Sequence, residues 1–360
     1  MKKILSFVMA VVASVSFFCS TETKAFNFPL TSQIKSESAM VINLDSNLTI
    51  HEKNADVQQS PGALVNIMTA VICLENSKNL NEEITVDSSV YSGLSESEYY
   101  MDLCYADIYD GDVLTVEDLL SAMMLTSSIE ATQTLAYHFS DGNITEFVNM
   151  MNEKAQEIGC TNTNFTNPNG LYDAKQYTTA RDMALLTEYA LKVPHFEEIA
   201  TQTEHTPSHP NSERHKIEEG EDPWVWTHSN LMTDTESDYY YVGAKGIKTA
   251  NISSAGRNLI TLESKSGNNY LVVLMKAPFT DAYGERQFYH LDDAEIILDW
   301  IFNHFSYQVL LSDSIEIDEI EVELGENTDY VLVKPEKEFT YLWYDGIDLA
   351  LIKTETHCPD

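Results

Sequence analysis

The order of strand and helix patterns in this 360-residue chain predicts an α+β fold: an antiparallel sheet built from both ends of the main domain, with a helical block between. Two observations carry that reading. A pair of short strand patterns near the start flanks an Asp-Ser-Asn turn, and three more strand patterns come only after residue 245. Between them the apolar residues recur at helical spacing.

The elements follow in order. Residues 39–45 and 48–53 form a hairpin signal. Pro61 opens a helix to about Asn76, because proline lacks only an N–H that the first turn does not need. Thr115 to Asp118 reads as a capping box before a second helix over 119–125. A third helix spans 128–138. A fourth, 144–158, sets Phe147, Met150, Met151 and Ala155 on one face. A fifth spans 180–191 behind a threonine cap. Residues 203–226 are rich in Glu, His, Pro and Ser and read as a loop. Strands are expected over 246–250, 258–264 and 270–276, and an amphipathic helix over 291–305 closes the domain. The tail, 308–360, alternates apolar and acidic residues and reads as a small all-β module.

Lys2 and Lys3 precede an apolar run from Ile4 to Phe18, and Thr23-Lys24-Ala25 carries small residues at the cleavage positions. This is the pattern of a secretory signal peptide over 1–25, which places the main domain at 26–307 and the chain outside the cytoplasm. No later stretch reaches the roughly 18 apolar residues of a spanning helix. No C-terminal membrane anchor is evident in the tail. The formal net charge is -36. Such a surface repels phosphate backbones and anionic lipid, which excludes nucleic acid as a partner. The cysteines match no zinc or disulfide framework. Cys73 is expected as a buried thiol, and a Cys104–Cys160 bridge is left open.

Several stretches together resemble the serine-type D-alanyl-D-alanine carboxypeptidases, the low-molecular-mass penicillin-binding proteins. Pro61-Gly-Ala-Leu-Val-Asn-Ile-Met-Thr69 is similar to the family's P-A-S-x-x-K-I-M-T helix. Residues 118–131 resemble D-L-L-x-x-L-L-x-x-S-G-N-D-A. Residues 159–171 and 177–184 resemble G-x-x-x-T-x-F-x-N-P-x-G-L and Y-S-T-A-R-D-L-A. Gly246 to Ala250, followed by Ser254-Ala-Gly256, resembles G-x-K-T-G…A-A-G. The matches are collinear over roughly 37–305. They imply a penicillin-binding-protein/β-lactamase-like domain, followed here by the β-rich module, and peptidoglycan in the bacterial cell envelope as the setting.

The resemblance also implies a chemistry that several residues here do not support. In the family a serine attacks the peptide carbonyl, and a lysine three residues on takes its proton from the same helix face. Those positions are Ala63 and Asn66. One has no nucleophilic atom and the other no proton-accepting nitrogen. The S-x-N motif is Ser127-Ser128-Ile129: Ser127 keeps the hydroxyl that relays a proton, while Ile129 replaces a substrate-binding amide at about 1–3 kcal/mol. The K-T-G motif is Lys248-Thr249-Ala250. Lys248 and Thr249 are expected to hold a substrate carboxylate, and Ala250 adds a methyl group where the family keeps glycine. The only literal S-x-x-K before that helix, Ser32 to Lys35, has no helical context. Ser60 lacks the matching lysine.

The chain therefore reads as a pseudoenzyme that keeps a wall-peptide or protein partner, without a cofactor. Two alternatives stay open: a working carboxypeptidase with another nucleophile, and a structural secreted protein without ligand. His205 and His209 have metal-ligand spacing, but Pro207 and Pro210 oppose the helix that would align them, and His215 and His228 add no positioned carboxylate. No metal site is expected.

Overall fold

The computed structural model describes residues 28–92, 103–208, 224–265, 267–316, 318–321 and 330–349. The expected signal peptide, His209, His215, Cys358 and most of the polar loop lie outside the described residues. The chain divides into two compact units, Ala25–Ile297 and one that includes Leu298–Asp360.

The larger unit is built on a five-stranded antiparallel sheet. Strands β1 (Ser38–Asn43) and β2 (Leu48–Lys53) form the expected hairpin. Strands β7 (Ala244–Ile252), β8 (Gly256–Lys265) and β9 (Asn268–Ala277) form the meander, and the order across the sheet is β2-β1-β9-β8-β7. The sheet is closed through β1 and β9, so residues near the start pair with residues some 230 positions later, as in Val41 against Val272. Every residue of β1, and Tyr270 to Met275 of β9, is buried. That run does not alternate, as expected for central strands covered on both faces.

The helices fold around one of their number. Helix α1 (Asn66–Asn76) is buried from Asn66 to Cys73 and touches α2 (Val116–Thr126), α3 (Ile129–His138), α4 (Ile144–Ile158), α5 (Ala180–Ala190) and α6 (Phe196–Ala200). Helix α5 rests in turn on β1 and β9. The starts of the surrounding helices follow local chemistry. Thr115 and Asp118 complete the capping box of α2, and Ser128, Asn143 and Thr179 accept from the first free N–H groups of α3, α4 and α5. Arg181 ties α5 to the hairpin through Glu52 and Asp56 at 2.7–3.1 Å.

Some features depart from the sequence reading. The segment expected as one helix from Pro61 begins as a 3-10 turn, Gly62–Val65. The short pair β3 (Glu83–Thr85) and β4 (Val113–Thr115) and helix α6 carry no strong periodic signal and were not expected. The polar loop is pinned at its ends by β5 (Glu204–His205) pairing with β6 (Trp226–Thr227). His205 has both ring nitrogens engaged, one by Asp118 at 2.7 Å and one by Gln202 at 3.1 Å. Cys73, Cys104 and Cys160 form no disulfide.

Helix α7 (Tyr289–His304) ends the larger unit and begins the smaller. There β10 (Phe305–Leu311) pairs with β13 (Phe339–Tyr344), and β11 (Asp318–Glu321) with β12 (Tyr330–Val333). Trp300, His304, Phe305 and Tyr344 make its aromatic centre. No described helix is long and apolar enough to cross a membrane.

Three histidines of the larger unit are buried as neutral rings. Burial pushes His51 down to about 4, His228 to about 4 and His290 to about 3, with Lys53, Lys248 and Arg257 nearby adding to the effect in that order. Above an unfolded value near 6.5 both states are neutral, so their contribution is fully present there. It is lost as pH falls from 6.5 toward 4, because only the unfolded chain takes up the protons. Buried carboxylates whose pKa is raised, such as Glu263 at about 8, give the opposite slope, so the histidine part is read as a difference: His51→Phe should lose less of its urea midpoint between pH 6.5 and 4 than the parent chain.

Candidate functional site

The site begins with a turn that must be small. Gly62 takes φ +53°, and Pro61 just before it is held by Asn258 of β8, whose Nδ2 donates to the Pro61 carbonyl at 3.2 Å. On one side lies the loop Asn167-Pro-Asn-Gly-Leu171. Gly170 sits at φ +81°, and a Cβ there would stand 2.3 Å from the Gly62 carbonyl oxygen and 2.6 Å from the Ala63 nitrogen. On the other side lies β7, where a Cβ on Gly62 would come within 3.1 Å of the Ala250 methyl.

This contact revises the reading of Ala250. The family pattern has alanine before its serine and glycine after its K-T pair. This chain has Gly62 and Ala250 in those places. Set against that pattern, the methyl group here stands on the β7 side of the contact. Ala250 is thus accommodated rather than intruding.

Ala63 and Asn66 lie one turn apart, with Ala63 in a 3-10 turn, where residues three apart are nearly eclipsed. Ala63 places its methyl group at the wall of a cavity. Asn66 is fully buried and is not among the residues lining it. Its Nδ2 makes long contacts to Thr132 Oγ1 at 3.5 Å and the Pro168 carbonyl at 3.3 Å, and its Oδ1 has no partner. Thr69 donates to the same Pro168 carbonyl at 2.8 Å, so this loop stays fixed to α1.

Ser127 ends α2 in a left-handed conformation, φ 64°. Its Oγ lies 2.7 Å from Lys248 Nζ. Lys248 is fully buried on β7, and its nitrogen also meets the carbonyls of Met123 at 3.0 Å and Met124 at 2.8 Å. Direct capture of a substrate carboxylate by Lys248 is therefore corrected: its donors are all used at the end of α2. Burial pushes the amine down to about 7, opposed only weakly by the charge of Cys104. Next to it, Thr249 Oγ1 and Ser229 Oγ are 2.6 Å apart, and Ser229 is positioned by its N–H to the Leu125 carbonyl at 3.0 Å.

These residues meet. Ala63, Ser127, Ile129 and Thr249 line one cavity of about 80 Å³, with Cys104 and Ser229. A water needs roughly 10–15 Å³ on that scale, so the space holds a few waters. Glu130, next to the lining residue Ile129, is buried out of the cavity. This buried carboxylate accepts from Ser128 Oγ at 2.7 Å and the Ala106 N–H at 3.0 Å, and burial still holds its pKa above the usual range.

Ser229 and Asn251 also line an adjoining open groove of about 620 Å³. There the chain concentrates scarce positive charge. Arg257 lies 4.7 Å from the ring of Phe279 and 4.4 Å from that of Phe288, and Arg286 lies 5.1 Å from Phe288. Arg257 bonds Asn251 at 3.1 Å, while its Nε has no partner. Burial first, then the charge of Arg286, lowers its pKa. Neither arginine was singled out from sequence. The available signal was Arg257 directly after the Ser254-Ala-Gly256 run, in a chain with only 21 cationic residues.

The sheet, its buried helical block and a cavity between α2, α3 and β7 define the class: a serine DD-peptidase-like domain. The sequence profile of the D-alanyl-D-alanine carboxypeptidases matches residues 22–279, and the chain belongs to that family. It is 28% identical to D-alanyl-D-alanine carboxypeptidase DacA of Haemophilus influenzae over 91% of this chain and 77% of that protein. It is 24% identical to DacF of Bacillus subtilis over the full chain and 86% of that protein. Among solved structures, a Streptomyces DD-transpeptidase superposes with a TM-score of 0.64 at 23% identity, over 75% of this chain and 98% of that one. DacD of Francisella tularensis superposes at 0.65 and 19% identity, over 86% and 81%.

The reciprocal contact gives a test. Gly62→Ala should destabilise by about 1–3 kcal/mol, from crowding against Ala250 and the left-handed backbone. Ala250→Gly should recover part of that loss in the double variant, read as a coupling in urea unfolding cycles.

Proposed function

We propose that this chain is an extracytoplasmic member of the family that does not carry out the family's acyl-enzyme reaction on D-Ala-D-Ala peptides at position 63 and acts by holding the C-terminal carboxylate of a peptidoglycan stem peptide. The observation that carries this is the pair Ala63 and Asn66. The first puts a methyl group at the cavity wall, and the second is a neutral amide buried out of the cavity. Without a nucleophile and a base at these positions, the family's first step has no starting atoms.

The binding half of the reading rests on charge. Two guanidinium groups of like sign face one groove, where an anion relieves their repulsion and supplies acceptors for unused N–H groups. Thr249 and Ser229 continue that groove into the cavity with hydroxyl groups. The signal-peptide pattern of residues 1–25 supports an extracytoplasmic setting, where such peptides occur.

Two measurements test the halves separately. A labelled penicillin is expected to leave no adduct that survives denaturation, and Ala63→Ser with Asn66→Lys is expected to gain labelling. A stable adduct on the unmodified chain overturns the loss of chemistry. In calorimetry, a D-Ala-D-Ala pentapeptide should bind, and its C-terminal amide should bind about tenfold more weakly or worse, since one charge-assisted contact is worth at least 1.4 kcal/mol. Equal affinities, or no heat at millimolar peptide, would sink the binding half.

A further inference from the structure

We propose that Ser127 and Lys248 form a serine–lysine nucleophile, at a different atom from the one the family uses, that accepts short acyl groups from small esters. This goes beyond the peptide-binding reading and does not depend on it.

The geometry around Lys248 carries the inference. A neutral amine has two hydrogens and one lone pair. The carbonyls of Met123 and Met124, at 3.0 and 2.8 Å, accept the two hydrogens. Nζ donates to the third neighbour, Ser127 Oγ at 2.7 Å, when the amine is charged; in the neutral amine the lone pair would face Oγ and the O–H would donate to it. The charged amine fits the same three contacts by donating a third hydrogen to Oγ. The two protonation states thus share one heavy-atom arrangement, which is the requirement for a base that takes a proton without reorganising.

The surroundings favour the neutral state. Among the described residues no carboxylate pairs with Lys248 Nζ; its contacts there are neutral oxygens inside a fully buried site. Burial holds the amine near neutrality, the range in which a general base works best. The ionisable groups coupled to it are Cys104, on the cavity, and His228, which is itself buried and neutral.

Ser127 has the other attributes of a nucleophile. It lines the cavity, and it is held on a sharp left-handed turn of a kind that a non-glycine residue adopts at some cost. Ala63 offers no competing hydroxyl. Ser229 and Thr249 share one hydrogen across 2.6 Å, so the second hydroxyl hydrogen of the pair is left for an oxyanion in the cavity. The walls given by Ala63, Ile129, Leu171 and Ile252 are apolar, and about 80 Å³ suits an acetyl or propionyl group.

The step balances without a co-reactant. Ser127 Oγ adds to the ester carbonyl carbon as its proton passes to Lys248 Nζ. The tetrahedral adduct collapses, the bond to the alcohol oxygen breaks, and that oxygen takes the proton from Nζ. Acyl-Ser127 and an alcohol result. Water, deprotonated by the same amine, then releases the carboxylic acid.

The test uses the full chain and p-nitrophenyl acetate. A burst of p-nitrophenol is expected, with one acetyl group mapped by peptide mass spectrometry to Ser127. Lys248→Met should slow the burst about 100-fold or more. Ser127→Ala should abolish it, with circular dichroism and melting confirming that the variant folds. Ser127→Cys restores a nucleophile at the same atom and should recover labelling there. An acetyl group mapped to Cys104 or to surface lysines, or a burst unchanged in Ser127→Ala, overturns the proposal. So does the absence of any burst. Neither result bears on peptide binding, which is measured with a different ligand.

Discussion

The turn at Gly62 and Ala63 is the point on which the larger unit depends. It is the entry to helix α1, which touches α2 to α6, and it is fixed by backbone contacts rather than by long side chains. Asn258 holds the carbonyl before it, Gly170 lies against its peptide, and Ala250 closes the third side. A contact this close admits few substitutions, because no rotamer change can relieve a Cβ that meets a backbone oxygen. Positions 62 and 250 show how the constraint acts: with a methyl group on Ala250, a second one on Gly62 would stand 3.1 Å away. The clamp does not use the side chain at position 63, so it places no demand on which small residue stands there.

That distinction explains what could be read from sequence. The helices with strong caps and periodicity, such as Ile144–Ile158 with its Asn143 cap, were legible because local chemistry and burial agree there. So were the family runs, because their residues have structural duties. Arg181 binds the hairpin, Thr69 holds Pro168, and Glu130 anchors residues 106–108. Helix α6 and the pair β3–β4 were not legible. They are short, and their burial is decided by neighbours distant in sequence.

The site was legible in its membership but not in its wiring. Residues 63, 127, 129 and 249 were expected together and do line one cavity. The direction of Lys248 was not readable, because the carbonyls that use its hydrogens belong to Met123 and Met124, whose side chains give no hint of them. Nor were Arg257 and Arg286, since their importance comes from sharing Phe288 in space.

Electrostatics link these observations. Burial is the main influence on Lys248. Its amine meets neutral oxygens, one of them the hydroxyl of Ser127. Meanwhile the two arginines lie outside the cavity, along the groove that Ser229 and Asn251 join to it. The chain thus sets a buried amine behind Ser127 at the cavity wall and two arginines along the groove beside it.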